Sequence, residues 1–277
     1  MLYRMERLIG MAIKAIDGDV GKVVDIYFDD RRWTARYLVV ETASWLKGRK
    51  LLVSPIAVRS INWEERRIQI NLSRQQLSAS PVIETEQPVS RQQELQLFDY
   101  YGYPDYLGGE QLWGATPYPL IPPLRMLRTG DRPAAEAVGL PHLGSLCEVH
   151  GYSLHALDAA IGHLEEFLID TTNWAMRYLV VGIHRRWSGR KVVIPPQWIR
   201  QMDWPQKLVV LDVARDVIQN APEFDPTPGY ARPYETNLYK HYQGAQYPLQ
   251  PDMNERPAPF QQRPARPAPS ASSAGWR

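Results

Sequence analysis

Few residues in this chain sit at spacings that do chemistry. Six histidines fall in its second half: His142, His150, His155, His163, His184 and His241. Metal-binding histidines come in patterns such as His-Glu-x-x-His, which puts two imidazoles on one helix face. None of the six has such a spacing, so they read as solvated or structural groups. Acids are paired at Asp29-Asp30, Glu64-Glu65 and Glu165-Glu166. General acid–base work needs two carboxylates that converge on one cleft from different environments. Sequence neighbours on a turn or strand do not converge. Cys147 is the single cysteine. It has no disulfide partner and no paired base, and beside Leu146 and Val149 it reads as a small core residue. Gly48-Arg49-Lys50 and Gly189-Arg190-Lys191 suggest phosphate contact. A phosphate loop needs a longer glycine pattern opening a helix, whereas each trio here leads into an apolar strand. A solvated hairpin is the plainer reading. No catalytic, cofactor-binding or metal-binding residue is assigned, and the chain is expected not to be an enzyme.

The elements that carry these residues come from a repeat. Trp33-Thr-Ala-Arg36-Tyr37-Leu-Val-Val recurs as Trp174-Ala-Met-Arg177-Tyr178-Leu-Val-Val, 141 residues later. The same offset takes Gly21 to Gly162, Asp29 to Asp170, Gly48 to Gly189, Pro55 to Pro196 and Trp63 to Trp204. It still holds at Arg91 and Arg232, Glu94 and Glu235, and Tyr101 and Tyr242. No gap is needed from about residue 10 to 102. A duplication explains this and chance does not.

Within each unit the pattern is β. Ile68, Ile70 and Leu72 alternate with Arg67, Gln69 and Asn71, the period of a strand with one buried face. Asp17-Gly18-Asp19, Asp29 to Arg32 and Lys47-Gly48-Arg49 are turn signals between short apolar runs. Pro55 ends a strand because it has no N–H for a ladder. Many short strands at this spacing predict a small barrel or sandwich. Trp33 and Trp174 read as large apolar residues that start a strand and close the barrel end, in preference to stacking platforms for nucleic acid. Ser90 is placed to cap a helix running to Tyr101, with Gly102 as its stop.

These motifs resemble the PRC-barrel family, named after the cytoplasmic domain of the photosynthetic reaction centre H subunit. The resemblance rests on Asp17-Gly18-Asp19-Val20-Gly21, Asp29, Trp33-x-x-Arg36-Tyr37, Trp45-Leu46-Lys-Gly48-Arg49-Lys50 and Ser54-Pro55. The second unit repeats most of it. It departs at Ala159, where the first has Gly18, and a turn needing positive φ would be strained there. The resemblance implies a six-stranded barrel used for protein contacts, without shared catalytic residues.

The expected organisation is mainly β, with two tandem barrels, each followed by a short helix. Residues 1–102 form the first unit and 145–243 the second. A Gly/Pro/Tyr-rich linker spans 103–144, and a disordered Pro-rich tail spans 244–277. No apolar run reaches the ~20 residues of a membrane span, and the N-terminus does not read as a signal peptide, so a cytoplasmic location is expected. The net charge of +2 lacks the basic excess of a nucleic-acid binder. Protein partners are expected, and no cofactor. The reading is an adaptor or scaffold serving a membrane-associated, reaction-centre-like complex, with a ribosome or RNA-processing accessory as the alternative. Leu208-Val-Val210-Leu replaces Arg67-Ile-Gln69-Ile. That extra apolarity marks Leu208 and Val210 as an interface, between the units or between copies of the chain.

Overall fold

The computed structural model describes residues 2–46, 48–82, 89–106, 111–114, 116–120, 143–183, 189–225 and 232–244. The first half holds β1 (Leu2–Arg4), β2 (Ala12–Ala15), β3 (Gly18–Asp29), β4 (Thr34–Thr42), β5 (Lys50–Val53), β6 (Val58–Asn62), β7 (Arg67–Ile70), α1 (Arg74–Ala79) and α2 (Arg91–Tyr101). The second holds β8 (Leu143–Ser145), α3 (Leu146–Val149), β9 (Ser153–His155), β10 (Ala160–Asp170), β11 (Ala175–Ile183), β12 (Lys191–Ile194), β13 (Ile199–Asp203), β14 (Leu208–Leu211), α4 (Arg215–Gln219) and α5 (Arg232–Gly244). No described helix is long and apolar enough to cross a membrane.

Strands β5-β4-β3-β2-β7-β6 are neighbours in that order, and β12-β11-β10-β9-β14-β13 follow the same order. The β2–β7 and β9–β14 pairs are parallel. A closed barrel is the expectation from sequence, but the hydrogen-bonded sheet is not closed. Among the described residues β5 pairs with β4 and β6 with β7, and no ladder joins β5 to β6. The chain between them turns through a short 3-10 helix, Pro55–Ala57, capped by the Ser54 hydroxyl. Proline has no N–H to continue a ladder, so the sheet parts here.

Gly21 and Gly162 show why a side chain is excluded at these places. A Cβ on Gly21 would sit 1.9 Å from the Glu41 carbonyl oxygen, and one on Gly162 1.8 Å from that of Gly182. The long strands cross their neighbours too closely there for any Cβ. Gly18 has φ +149°, while Ala159 is absent from the positive-φ positions. The second turn therefore differs at that residue, although the ladder irregularity beside it is shared, between Asp19 and Gly21 in one half and between Ala160 and Gly162 in the other.

Strand β4 is buried on both faces. Ala35, Leu38 and Val40 enter a core that continues through the second half, with Phe167, Leu179 and Val181. Tyr37 and Val39 face a smaller cluster closed by Leu97 and Phe98 of α2 and by Tyr106. Helix α2 starts on a capping box, Ser90 with Gln93, and ends on Gly102 at φ 66°. Helix α1 has the same device in Ser73 and Gln76. The expected tail beyond α5 lies outside the described residues.

Candidate functional site

The two halves meet through reciprocal exchange of short strands. β1 of the first half pairs antiparallel with β10 of the second, Leu2 opposite Asp170 and Arg4 opposite Leu168. β8, which opens the second half, pairs antiparallel with β3 of the first, Leu143 opposite Asp29 and Ser145 opposite Tyr27. Each exchanged strand ends on a side-chain bond to an acid of the long strand it joins. Arg4 Nε donates to Glu166 Oε1 at 2.5 Å, and Ser145 Oγ donates to Asp25 Oδ2 at 2.5 Å. Leu143 and Gly144, expected in the linker, thus belong to the junction.

The tryptophans sit between these strands. Trp33 (φ 48°) and Trp174 (φ 62°) occupy the left-handed region at the end of matching turns. Ala35 N–H donates to the Trp174 carbonyl at 2.9 Å, and Met176 N–H to the Trp33 carbonyl at 2.7 Å. Trp33 lies 6.0 Å from the Phe167 ring, and Phe28 lies 5.5 Å from it. Both tryptophans are buried. They fasten one half to the other, a role that reading either unit alone does not reveal.

Arg36 is the hub of a buried polar cluster. Its guanidinium bonds Asp29 Oδ2 at 2.8 Å and the Leu112 carbonyl at 2.7 Å. The Tyr106 ring lies 3.8 Å away and the Trp113 ring 4.9 Å. Asp29 also accepts the N–H groups of Arg31 and Arg32, which fixes the turn. Below it, Glu94 Oε1 accepts the Tyr37 hydroxyl at 3.0 Å and the Tyr106 hydroxyl at 2.7 Å. Tyr106 and Trp113 come from the expected irregular linker, which here covers the domain. Trp113 reaches across to the Asn173 carbonyl at 2.8 Å.

Burial pushes the Glu94 carboxyl above its usual pKa, and the Tyr106 bond and the Arg91 charge pull it back only partly. The folded protein therefore keeps this proton to higher pH than the unfolded chain does. The stabilisation is full below the unfolded pKa and is lost as pH rises through the folded one. Glu94→Gln cannot ionise. Its melting temperature should gain on that of the wild type as pH rises above about 4, the ordinary glutamate range. A difference that stays flat with pH would contradict this assignment.

A groove of about 820 Å³ runs beside the junction, lined by Val58, Ile61, Trp63, Tyr118, Leu120 and Trp174 among others. Strand β6 forms its floor. Among the described residues Arg59 is the only charged one lining it, so no carboxylate pair of theirs faces it. Trp63 is stacked on Tyr3 at 3.9 Å, with the Arg7 guanidinium 5.1 Å from its ring.

The other candidates fall elsewhere. Arg49 donates to the Ser80 carbonyl at 2.8 Å, and Arg190 donates to the Gln219 carbonyl at 2.8 Å. Each arginine thus closes the end of the short helix in its own half, α1 or α4, which the solvated-hairpin reading missed. Gly48 is positive in φ, while at Gly189 an added Cβ would meet open space. Pro55 and Pro196 open matching 3-10 turns. Arg177 and Tyr178 are half-buried on β11. Leu208 and Val210 are half-buried on β14, between β13 and β9. The turn that joins β13 to β14 reaches the first half, where Trp204 lies 6.4 Å from the Phe28 ring. Cys147 is a correction. It is exposed, with its N–H on Asp25 Oδ1 at 3.1 Å and its Sγ 3.6 Å from the Val24 carbonyl, while Leu146 and Val149 are buried. A helical turn sets which of these neighbours is buried. Partial desolvation of the sulfur against β3 and the Asp25 carboxylate push its thiol up to about 12. Glu165 pairs with Lys191 and lies 3.7 Å from His163. His241 meets the Val217 carbonyl, and His142 and His184 lie outside the described residues. No cluster of metal-ligating side chains occurs among the described residues.

Residues 2–77, from β1 into α1, match the family model of the PRC-barrel domain. The chain carries a PRC-barrel domain. The match takes in Gly21, Trp33, Arg36, Tyr37, Gly48 and Pro55, the positions expected to define the fold. It also takes in β1, the strand that this PRC-barrel domain lends to the second half. No curated protein matches the chain.

Proposed function

We propose that the chain is a non-enzymatic, protein-binding adaptor made of two PRC-type barrels, the matched domain and a second unit over residues 145–243. The second barrel is supported by the common strand order of the halves and by the residues kept at the 141-residue offset. The observation that carries the adaptor reading is the junction. Exchanged strands and a shared core make one rigid body, and beside it runs a groove whose described lining has one charged residue and no acids. Such a groove suits an apolar protein contact better than proton transfer. The setting proposed is the cytoplasm, at a membrane-associated complex of the reaction-centre kind, by analogy with the family.

The test is site-specific crosslinking in the native host, with a photoreactive residue at Ile61 of the full chain. One stoichiometric protein partner, lost when Leu120→Asp is added, is the expected result. Recovery of ribosomal particles that release with salt would replace this reading with the RNA-processing one. Recovery of nothing but the chain would overturn both.

A further inference from the structure

The groove beside the junction takes in four consecutive residues, Val58 to Ile61. Successive side chains of a strand point to opposite faces, so a wall that holds four in a row is the edge of the strand. That edge is open. β6 ends the path of the sheet, and among the described residues it pairs only with β7. Among those residues its backbone makes one hydrogen bond outside that ladder, from the Val58 N–H to the Pro55 carbonyl.

A ladder irregularity between Val58 and Ser60 marks the start of the strand, where Arg59 and Ser60 are exposed side by side. A bulge of this kind guards the beginning of an edge against pairing. It does not guard the rest. Ser60, Ile61 and Asn62 stand opposite Gln69, Ile68 and Arg67 in regular register. In such a ladder the N–H and C=O of one residue point to one side and those of the next to the other, so alternate residues present both groups to the groove. Ile61, Trp63 and Trp174 give the groove its apolar side. Arg59 gives it charge. Among the described residues no carboxylate pairs with Arg59 and none lines the groove. A second cation stands close by, the Arg7 guanidinium, 5.1 Å from the Trp63 ring.

Resting on the adaptor reading, we propose that this groove takes an extended segment of a protein partner, which adds as a strand to the open edge of β6 and sets a carboxylate against Arg59. Main-chain bonds give such a contact its affinity, and alternate side chains give it specificity. The matching segment has an acid between two β-branched apolar residues. The acid lies on the outer face with Arg59 and Ser60, and its neighbours lie on the other, toward Ile61 and Trp63. An α-helix spends its N–H groups internally and proline has none, so neither pairs with this edge.

The experiment titrates the full chain with capped peptides and follows the Ser60, Ile61 and Asn62 amides by NMR. The probe carries Thr-Val-Asp-Val-Thr between glycines. Its binding should shift these amides. Arg59→Gln should weaken it about fivefold, the size of an exposed ion pair, and should leave binding of the same peptide with Asn for Asp unchanged. N-methylation of alternate peptide bonds should abolish binding in one register and spare it in the other. Binding that survives both registers overturns the proposal, as does equally tight binding of a proline-rich peptide with the same acid. So does the absence of any shift along β6. Crosslinking at Ile61 separates this contact from the adaptor reading. A captured segment without an acid between apolar residues sinks the strand addition alone, and capture of no partner sinks both.

Discussion

Cutting the chain between residues 121 and 142 should leave the two halves together. With a protease site inserted there and cleaved, the products should elute as one species at the volume of the intact chain, and part only in denaturant. The reason is the reciprocal exchange. After the cut, β1 still belongs to the first fragment and pairs with β10 of the second, while β8 belongs to the second and pairs with β3 of the first. Separation must detach both strands, break the Arg4–Glu166 and Ser145–Asp25 bonds, and expose Phe28, Trp33 and Phe167, which are buried across the junction. Fully burying one such side chain stabilises by about 1.5–3 kcal/mol. Several together exceed what a flexible tether adds through effective concentration. Two fragments that elute apart without denaturant would show that the halves are independent beads and would remove the rigid body from the proposed function.

The sequence reveals the strands far better than it reveals their partners. Period-two alternation at Ile68 and Ile70, the turn at Asp29 to Arg32 and the stop at Pro55 each report a local choice, and each element is present. Strand exchange is not a local choice. When a unit is duplicated, β1 meets the same edge chemistry on β3 as on β10, so nothing in its own residues says which it joins. The linker hides its role for a related reason. Its Gly and Pro content marks irregular backbone, and the backbone at 103–106 and 111–114 is indeed irregular. Yet Tyr106 and Trp113 are buried, because an Arg36–Asp29 pair inside the fold needs aromatic cover. Composition cannot show that need without the pair's burial. Cys147 fails in the same way: its apolar neighbours suggest a core, but only the helical turn decides which of them faces inward.

That pair gives the second large effect. Arg36 and Asp29 have fully buried side chains 2.8 Å apart. Taking two charges out of water costs more than their attraction returns unless other bonds satisfy them. Here the Leu112 carbonyl, the Arg31 and Arg32 amides and the Tyr106 ring supply most of these, and only Arg36 Nε is left without a hydrogen bond among the groups of the pair. Arg36→Met keeps much of the volume and leaves Asp29 uncompensated. Urea unfolding should show a loss of about 3–5 kcal/mol, the range for breaking one side of a buried pair. Adding Asp29→Asn should recover part of that loss, because the neutral amide still accepts the two turn N–H groups without a stranded charge. A loss under about 1 kcal/mol for Arg36→Met would mean that water reaches Asp29. The cover formed by Tyr106 and Trp113 would then be open in solution.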